Sequence, residues 1–384
     1  MSGARQLAVT HVAPFGDFEG QIAFSGAENH LFQLMTGQKT AGLDVELLML
    51  VIHDGPRLVA KADELSAAGI KVVRLVYGRG LVPVLGRAAW VAQLPRLIAL
   101  MRARRNRIVH THLPHASQLG RVAAWAGGVR AIIDSVHNDE PFYGGPSWRL
   151  RLKALQRIPG PTIAISSRVK TQLVDAAGMS ADRVVVIPYG VEPPARIDRD
   201  GARAALGLPA DAFVVGFVGR LMPQKDLGTL IEAMAQVPDA HLCIVGAGPE
   251  EQGLRAHAAR VGLTRVQFAG ARANGADLMP AFDVFVLSSK WEGLGLVLLE
   301  AMSRGVPIAA TRGGAIPEVL EDGRLGLLSD VGDAAGLRRN IQRLLGDEAA
   351  RRELVARGLA AIGERYSVAA MVDATTAVYE GAGA

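Results

Sequence analysis

Several features that define protein classes are rare or missing in this sequence. It has one cysteine among 384 residues, so it cannot form a disulfide-stapled extracellular scaffold. No apolar run reaches the roughly 18 residues that would span a bilayer, and the first 20 residues lack the pattern of a signal peptide. Its 44 glycines and 19 prolines are spread through apolar sequence, which excludes a disordered or collagen-like chain. These observations predict a globular, cytoplasmic protein.

Acidic residues are absent from one long segment of the first half. Between Leu65 and Ile133 there is no Asp or Glu over 69 residues, whereas eleven residues are Lys or Arg. Residues 1–195 carry 22 Lys and Arg against 14 Asp and Glu, a net charge of +8; the remainder carries 20 against 23, a net charge of −3. An ordinary solvated surface mixes acidic and basic residues, so an acid-free run of this length needs another explanation. The pattern predicts contact between the first half and something anionic.

Apolar runs of strand length alternate with helical patterns in both halves. Apolar residues at spacings of three and four, as in Leu227, Leu230, Ile231 and Met234, predict helices between the strands. This alternation is typical of parallel sheets with helices on both faces, so we predict an α/β protein with two doubly wound domains. The predicted strands are residues 6–12, 44–51, 71–75, 108–111, 131–136, 162–165, 184–187, 212–218, 241–245, 266–269, 284–287, 307–310 and 326–328.

The domain boundary is predicted where the periodic pattern stops. Pro193, Pro194 and four charged residues stand between residues 193 and 200, which is typical of a linker. Within it, Asp198 and Asp200 resemble a paired-carboxylate metal site, but acids that precede a helix are the better interpretation. The predicted organisation is a domain at 1–192, a linker at 193–200, a second domain at 201–365 and a C-terminal helix at 366–384.

A first candidate binding site follows the first strand of the second half. Gly219 at the strand end would let a ligand approach the backbone, because open α/β sheets bind ligands at the carboxyl ends of their strands. Arg220 offers a planar fork for phosphate oxygens, and Lys225 adds a mobile charge. Taken alone, this is equally well a surface loop with two solvated cations. Together the two cations could neutralise a diphosphate.

A second candidate site lies at the start of a predicted helix. Gly293 and Gly295 expose backbone N–H groups there, which suits an anion. Glu292 precedes this turn, and Glu300 lies in the otherwise apolar run 296–302, where a buried acid without a partner is costly. Carboxylates do not bind phosphate, but they accept hydrogen bonds from hydroxyl groups. The combination predicts a nucleotide-activated sugar as the ligand.

Motifs over nearly the whole chain resemble the retaining GT-B glycosyltransferases of family four, the glycosyl transferases group 1. The resemblance implies two Rossmann-like domains facing a cleft, with the acceptor on the first and the nucleotide sugar on the second. It also implies that the terminal helix crosses back to the first domain. The chain departs from the family at Tyr189, where an asparagine is common. The matching motifs are the Glu292–Glu300 spacing, Gly219-Arg-Leu with Lys225, and residues 25–28, 109–112, 136–137, 165–166, 186–192, 245–249, 313–318 and 365–367.

The resemblance implies catalytic roles for four residues. Arg220 and Lys225 would stabilise negative charge on the departing nucleoside diphosphate. Glu292 would hold hydroxyls of the donor sugar, as a positioning group and not as the nucleophile of a two-carboxylate glycosidase. His137, at the end of a predicted strand, would lie beside the reacting sugar. No metal or other cofactor is required, because the cations and a helix amino terminus already supply a positive field.

Further residues are implied to bind substrates. Glu300 would hold the ribose hydroxyls, and backbone amides from residue 293 to residue 296 would meet phosphate and sugar. Ser25 and Gly26 would form a loop that borders the donor phosphate and the acceptor. The full set implied to bind the donor is Gly219, Arg220, Lys225, Glu292, Gly293, Leu294, Gly295, Leu296 and Glu300.

Two other patterns are weaker. His110, His112 and His115 are close in sequence, but no acid or cysteine completes a zinc site nearby, so strand-end and cleft roles are favoured over metal binding. Gly246 and Gly248 begin like a dinucleotide-binding fingerprint, but its third glycine is replaced by Glu251. A tight turn into the next helix is favoured over an oxidoreductase site.

The sequence therefore predicts transfer of a hexose from a UDP- or GDP-sugar to a cell-surface glycan or lipid-linked precursor, as in lipopolysaccharide or polysaccharide biosynthesis. A nucleotide-sugar epimerase on the same fold and a non-catalytic sugar-nucleotide binding module stay open as alternatives. For the basic segment 71–130, an anionic acceptor, peripheral contact with the inner leaflet of the membrane, and packing of an amphipathic helix on the sheet all stay open. Nucleic acid is disfavoured, because no binding module is recognisable.

Overall fold

The chain folds into two compact units. The computed structural model describes residues 7–16, 26–76, 92–137, 145–194, 198–272 and 275–383. Unit 1 comprises Met1–Pro188 with Val368–Ala384, and unit 2 comprises Tyr189–Ser367. The division between Pro188 and Tyr189 therefore comes before the predicted linker at 193–200. Val191 already belongs to unit 2, where it forms a parallel bridge with Ser367. The last residues of that linker, from Arg199 onward, begin a helix instead.

Each unit is built on one parallel sheet. In unit 1 the strand order is β3-β2-β1-β4-β5-β6-β7, and in unit 2 it is β10-β9-β8-β11-β12-β13. The strands are β1 (Ala8–Gly16), β2 (Asp44–His53), β3 (Lys71–Val76), β4 (Ile108–His112), β5 (Ala131–Val136), β6 (Thr162–Ala164), β7 (Val184–Val186), β8 (Phe213–Val218), β9 (Ala240–Val245), β10 (Val266–Gly270), β11 (Val284–Leu287), β12 (Ile308–Thr311) and β13 (Leu327–Ser329). Each overlaps a predicted strand, so the doubly wound α/β prediction is confirmed.

Helices connect the strands, as right-handed parallel crossovers require. They are α1 (Gly26–Thr40), α2 (Pro56–Ala67), α3 (Leu94–Arg102), α4 (Leu113–Ala126), α5 (Pro146–Leu155), α6 (Ser167–Thr171), α7 (Arg199–Leu206), α8 (Leu227–Met234), α9 (Glu251–Arg260), α10 (Leu296–Ser303), α11 (Ile316–Val319), α12 (Ala334–Gly346), α13 (Glu348–Arg365) and α14 (Val368–Gly383). Shorter turns are the π-helix Gln172–Ala176 and the 3₁₀ segments Ala181–Arg183, Pro223–Lys225, Gly275–Ala281 and Glu321–Gly323.

Aspartates begin three of the helices by capping them. The Asp198 carboxylate accepts a hydrogen bond from the Gly201 backbone at 2.9 Å, at the start of α7. Asp333 and Asp347 do the same for α12 and α13. Such caps satisfy N–H groups that the first helical turn leaves unpaired. Asp198 is thus an acid that begins a helix, as the sequence predicts.

Apolar side chains fill both faces of the first sheet. On one face α1, α2 and α14 pack through residues such as Leu31, Leu58 and Met371. On the other face α3 and α4 pack through residues such as Leu97 and Ala123. Because parallel strands covered on both sides must be apolar on both sides, the central strands are continuous hydrophobic runs. Polar side chains buried in this sheet therefore need a specific explanation, and several of them lie at its carboxyl edge.

Candidate active site

Two loops of unit 2 carry the candidate donor site. One follows β8 and the other follows β11, and these two strands are hydrogen-bonded neighbours. The strand order reverses between them, which makes this the switch point where open α/β sheets hold ligands. The two sequence motifs, in which Lys225 and Glu292 are 67 positions apart, are therefore adjacent in space. The fold itself explains why both candidate sites follow strands.

Hydrogen bonds connect these two loops directly. The Ser288 hydroxyl donates to the Lys225 carbonyl at 2.8 Å. The Lys290 backbone N–H donates to the Gln224 carbonyl at 2.8 Å. In turn, the Gln224 amide donates to the Trp291 carbonyl at 2.7 Å. These bonds hold the backbone on both sides of the site, so the side chains are presented from a rigid frame.

Lys225 and Glu292 form an ion pair at the centre of this frame. Lys225 Nζ lies 2.5 Å from Glu292 Oε1, and the Ser289 hydroxyl donates to the same oxygen at 2.6 Å. Glu292 is only 7% exposed. A carboxylate held by two donors keeps a fixed orientation, and an ammonium has further donors to offer a ligand. The pair can thus present a cation and a hydroxyl-binding carboxylate together.

A glycine supports the turn that carries Glu292. Gly314 has a φ of +61°, and a Cβ at this position would overlap the backbone of Glu292. The next residue, Ala315, donates its N–H to the Glu292 carbonyl at 2.9 Å. The Gly313–Gly314 pair of the sequence motif therefore lets a second chain segment lie directly against the candidate site.

Arg220 is the exposed cation of the candidate site. Within the described part of the chain, no carboxylate forms an ion pair with it, so its guanidinium is available to a ligand. The preceding carbonyl, that of Gly219, is approached closely by Gly246, whose φ is +149° and whose Cβ would overlap it. Gly248 likewise lies against the backbone of Leu221, which a Cβ would overlap. The fingerprint-like glycines therefore allow the loops after β8 and β9 to pack together.

Helix α10 begins beside these loops without a side-chain cap. Its N-cap residue is Gly295, with a φ of +85°, and Leu296 is the first helical residue. An uncapped helix start leaves N–H groups that can bind an anion. The predicted phosphate-binding turn 293–296 thus lies at a helix amino terminus, as its two glycines indicate.

Glu300 lies one turn further along α10. Burial raises the pKa of its carboxyl group, nearby Arg304 opposes that effect, and Asp277 adds to it. Arg304 itself donates to Asp277 at 2.8 Å. In the described ranges, no donor group forms a hydrogen bond with the Glu300 carboxylate. A desolvated acceptor of this kind suits a ligand that supplies hydroxyl groups.

Unit 1 holds a group of buried histidines near the carboxyl edge of its sheet. His11 lies on β1, directly opposite His110 on β4, and His112 lies two residues on and therefore on the same face. His137 follows β5, and His30 lies on α1. Burial lowers the pKa of His11 to about 4 and that of His137 to about 3. Burial also lowers the pKa of the other three.

Hydrogen bonds join several of these rings. His11 Nδ1 lies 2.9 Å from His112 Nε2, and His112 Nδ1 lies 3.2 Å from His137 Nε2. The ring nitrogens of His11, His110 and His112 could reach one metal ion, since they lie within 4.8 Å of one another. The sequence pattern identified His110 and His112 but missed His11, which only the adjacency of β1 and β4 could have revealed. The side chain of His115 falls outside the described residues.

The remaining predicted site residues divide between the units. Ser25 lies outside the described residues, and Gly26 is an exposed residue at the start of α1. His137 belongs to unit 1, whereas Arg220, Lys225, Glu292 and Glu300 belong to unit 2. Their catalytic and binding roles stay predictions.

Internal ion pairs neutralise part of the basic segment. Glu46 accepts two hydrogen bonds from Arg104, at 2.6 and 2.9 Å, and lies 3.2 Å from Lys71. Burial would raise the pKa of Glu46, but these partners lower it to about 2. Arg107 pairs with Asp44. The count of eleven basic residues in the acid-free segment therefore overstates its unpaired positive charge, whereas the net charge of +8 already includes these acids. In the described part of the chain, no helix has the length and apolar character needed to cross a membrane.

Comparisons with known families agree with the resemblance. Residues 198–360 match the family described as glycosyl transferases group 1. Residues 24–193 match glycosyltransferase family 4. The two matched ranges lie on the two predicted domains and together cover most of the chain.

Similar proteins cover the chain to different extents. The lipopolysaccharide core biosynthesis glycosyltransferase LpsE of Rhizobium meliloti is 39% identical over 173 residues, which are 45% of this chain and 51% of that protein. The match thus spans about half the length of that relative. A D-inositol 3-phosphate glycosyltransferase of Acidothermus cellulolyticus is 30% identical over 419 aligned positions, which cover 98% of this chain and 90% of that protein.

A solved structure shares the whole fold. Anabaena Alr3699/HepE, in complex with UDP, superposes with a TM-score of 0.79 at 24% identity, covering 98% of this chain and 100% of that one. Both Rossmann-like units are therefore present in a fold already seen in a crystal. Together with the relatives, this similarity shows that the chain belongs to glycosyltransferase family 4, the glycosyl transferases group 1, and has the GT-B fold.

Proposed function

We propose that the protein transfers a hexose from a nucleoside-diphosphate sugar to a glycan or lipid-linked acceptor, with retention of the anomeric configuration. The observation that carries the proposal is the Lys225–Glu292 pair, held beside exposed Arg220 at the switch point of the second sheet. It combines cations for a diphosphate with a carboxylate for sugar hydroxyls. The relative LpsE, named for lipopolysaccharide core biosynthesis, supports a glycan acceptor.

The donor is proposed to be a UDP- or GDP-sugar. Arg220, Lys225 and the amino terminus of α10 would bind its diphosphate. Glu292 would bind hydroxyls of the hexose, and Glu300 would bind the ribose. That HepE was crystallised with UDP supports a nucleoside diphosphate. The proposal needs no metal, because the side chains and the helix terminus supply positive charge where the leaving group develops negative charge.

In the proposed reaction the acceptor oxygen forms a bond to the anomeric carbon as the bond from that carbon to the diphosphate oxygen breaks. The acceptor hydroxyl proton passes to the departing diphosphate. Glu292 is not proposed as the nucleophile, because its Oε1 already accepts hydrogen bonds from Lys225 and Ser289, which hold the carboxylate in place. Its role is to orient the sugar while Lys225 and Arg220 stabilise the leaving group.

Ligand binding tests the donor site directly. In a thermal-shift screen of UDP, GDP, ADP and their sugars, one nucleotide at 100 times its dissociation constant should stabilise the protein by roughly 2.7 kcal/mol. Binding of none of them would contradict the proposal. An assay for sugar transfer distinguishes the alternatives. An epimerase would exchange an isotope at a sugar carbon in the absence of an acceptor. A binding module would bind the nucleotide sugar and form no product.

Replacing Glu300 with glutamine should weaken nucleotide binding without unfolding the protein. The substitution keeps the shape but removes the charge that strengthens a hydrogen bond to a hydroxyl, so the dissociation constant should rise about tenfold or more. The unfolding free energy should not fall, since the charge is already desolvated. Isothermal calorimetry measures the first quantity and urea unfolding the second. Glu353→Gln, at an exposed residue of α13, is the control, and equal affinity in both variants would contradict the role of Glu300.

We propose that unit 1 binds an anionic acceptor or the anionic lipid surface that carries the acceptor. Arg102 and Arg105 are exposed at the end of α3, and Trp125, near the end of α4, is 59% exposed. The two helix ends are close together, because a Cβ at Gly127 would lie 3.1 Å from the Arg102 backbone nitrogen. Exposed arginines next to an aromatic ring suit an interface between water and anionic lipid. Arg102 and Arg105 would thus supply the attraction to the anionic surface.

Vesicle binding tests this surface. The protein should float with phosphatidylglycerol vesicles at low salt and be released at high salt. Arg102→Glu combined with Arg105→Glu should lower the partition coefficient at least about tenfold, since each basic residue near an anionic membrane contributes about 1 kcal/mol. Arg339→Glu combined with Arg343→Glu, at two exposed residues of unit 2, makes the same change in net charge and is the control. An equal loss in both, or binding that salt does not change, would contradict the assignment.

A further inference from the structure

The residue that follows Lys225 has an unusual backbone conformation. Asp226 has a φ of +46° and a ψ of +46°, in the left-handed region where residues with a Cβ are uncommon. Of the four non-glycine residues with a positive φ in the described part of the chain, Asp226 is the one that lies in the loops of the candidate donor site. Such a conformation persists where the surrounding structure holds it, and it often marks a functional site.

Asp226 joins two helical segments. The 3₁₀ segment Pro223–Lys225 ends at this residue, and α8 begins directly after it. Six of the eight residues of α8 are buried, so the helix is fixed in the core. A left-handed residue ends a helical turn, whereas an ordinary helical φ here would let the 3₁₀ segment continue into α8. The conformation of Asp226 therefore sets the direction in which the Lys225 loop meets the helix.

Both polar contacts of Lys225 with the loop after β11 depend on this direction. The Lys225 carbonyl accepts a hydrogen bond from the Ser288 hydroxyl at 2.8 Å, and its ammonium lies 2.5 Å from Glu292 Oε1. That carbonyl belongs to the peptide that joins Lys225 to Asp226. Because α8 is fixed, a change in the φ of Asp226 rotates this peptide and turns the carbonyl away from Ser288. The Lys225 side chain would move with it.

The side chain of Asp226 has a more local contact. Its Oδ2 accepts a hydrogen bond from the Thr229 hydroxyl at 2.8 Å, and the Thr229 N–H donates to the Asp226 carbonyl at 3.1 Å. Lys290 Nζ lies 3.7 Å from Oδ1 and is about half exposed, so this ion pair adds little. The carboxylate therefore anchors Asp226 to the first turn of α8, while its backbone acts on Lys225 through the shared peptide.

We propose that Asp226 is a positioning residue, whose left-handed backbone holds Lys225 against Ser288 and Glu292 before the donor binds. The use of Lys225 toward a diphosphate rests on the proposed function. The position of Lys225 does not, because hydrogen bonds within unit 2 define it. The unfavourable conformation is already adopted in the free protein, so ligand binding does not have to order this loop.

The alternative is that a left-handed aspartate simply separates two helical segments and has no effect on the site. Asp322 provides the matched control for this alternative. It is an exposed aspartate of unit 2 with a φ of +50°, in the segment Glu321–Gly323. The same substitutions there impose the same backbone preference at a residue that does not adjoin Lys225.

The test compares Asp226→Gly with Asp226→Ala in the full-length protein. Both variants lack the carboxylate and they differ by one methyl group, so a difference between them reports the backbone alone. Glycine adopts the left-handed region freely, and alanine disfavours it. We expect kcat to stay close to the wild-type value in Asp226→Gly and to fall about tenfold in Asp226→Ala. Asp226→Asn should behave like the wild type, because asparagine tolerates this conformation and can accept from Thr229.

Binding and stability separate positioning from a merely structural role. In Asp226→Ala the dissociation constant of the nucleoside diphosphate should rise less than kcat falls, because the leaving group gains charge only as the bond breaks. Asp322→Gly and Asp322→Ala should leave both quantities unchanged. A structural role would lower the unfolding temperature of Asp226→Ala while its kcat stayed at the wild-type value.

Crystal structures of the variants without ligand test the geometry directly. The contacts of Lys225 with Ser288 and Glu292 should be retained in Asp226→Gly and lost in Asp226→Ala. The inference is overturned if Asp226→Ala keeps both contacts and the wild-type kcat, or if Asp226→Gly loses as much activity as Asp226→Ala. Because the structures need no substrate, absence of transfer in the wild type would defeat the proposed function and leave the positioning role to be decided by the geometry.

Discussion

Replacing Lys225 with alanine is expected to lower kcat by roughly 10²- to 10³-fold, which is typical for loss of one group that stabilises a developing anion. Lys225 is held at 2.5 Å from Glu292, so its position is defined before substrate binds. Removal takes away a cation from the leaving diphosphate and also one of the two donors that orient the sugar-binding carboxylate. Both losses act on the chemical step, because charge develops on the diphosphate only as the bond breaks. Steady-state rates with a saturating donor measure the effect.

Lys290→Ala is the matched control. Lys290 lies on the neighbouring loop, is about half exposed and pairs with Asp226 at 3.7 Å, so it changes the local charge equally. Thermal unfolding of both variants separates catalysis from stability, because breaking a buried ion pair is itself destabilising. The double variant Lys225→Ala/Glu292→Ala should lose little more activity than the worse single variant if the pair acts as a unit. Similar activity in Lys225→Ala and Lys290→Ala would contradict the assignment.

Acid is expected to unfold the protein near pH 5, well above the pH at which carboxylates protonate. Five buried histidines have lowered pKa values, down to about 4 for His11 and about 3 for His137. In the unfolded chain they protonate near their ordinary pKa of about 6.5. Below that pH the unfolded state binds more protons than the folded state, so the unfolding free energy falls as the pH falls.

The expected magnitude is large because the five groups act in the same direction. Each contributes up to about 1.4 kcal/mol per pH unit between its unfolded and its folded pKa. Together they approach about 7 kcal/mol per unit, which is comparable to a typical total stability of about 5–15 kcal/mol. Burial raises the pKa values of Asp134 and Glu300, and these two carboxyl groups oppose the trend of the five histidines. Glu46, with a pKa of about 2, loses its contribution only below pH 4.5.

Urea unfolding at half-unit steps from pH 7.5 to pH 5 measures this slope. His30→Leu removes one buried imidazole of α1 and should reduce the slope by about 1.4 kcal/mol per pH unit. His257→Gln, at a histidine of unit 2, is the matched control. A stability that is constant between pH 7 and pH 5 would show that the histidines are not buried as neutral groups.

The strands and the donor loops were predictable because their signals are local. A parallel strand buried on both faces is a short continuous apolar run, as in β2 and β8. Glu300 is conspicuous for the same reason, since it interrupts such a run, and the structure shows a desolvated carboxyl there. Two glycines ahead of an apolar helix likewise indicated the uncapped start of α10.

The clustering of the buried histidines and the ion pairs of the basic segment were not predictable in this way. His11 and His110 are about 100 residues apart, and only the pairing of β1 with β4 makes them neighbours. The excess of basic residues suggested an anionic partner, yet Arg104 and Lys71 are paired with Glu46, which lies before the acid-free segment.

By itself the sequence determined the two doubly wound domains, their strands, and the loops that carry Arg220, Lys225, Glu292 and Glu300, because periodicity and strand-end motifs act over a few residues. Only the tertiary structure decided which charged groups form pairs and which buried histidines become neighbours. Hydrogen bonds and ion pairs act over a few ångströms in space without regard to separation along the chain. The partners of a buried polar group are therefore set by strand order and helix packing.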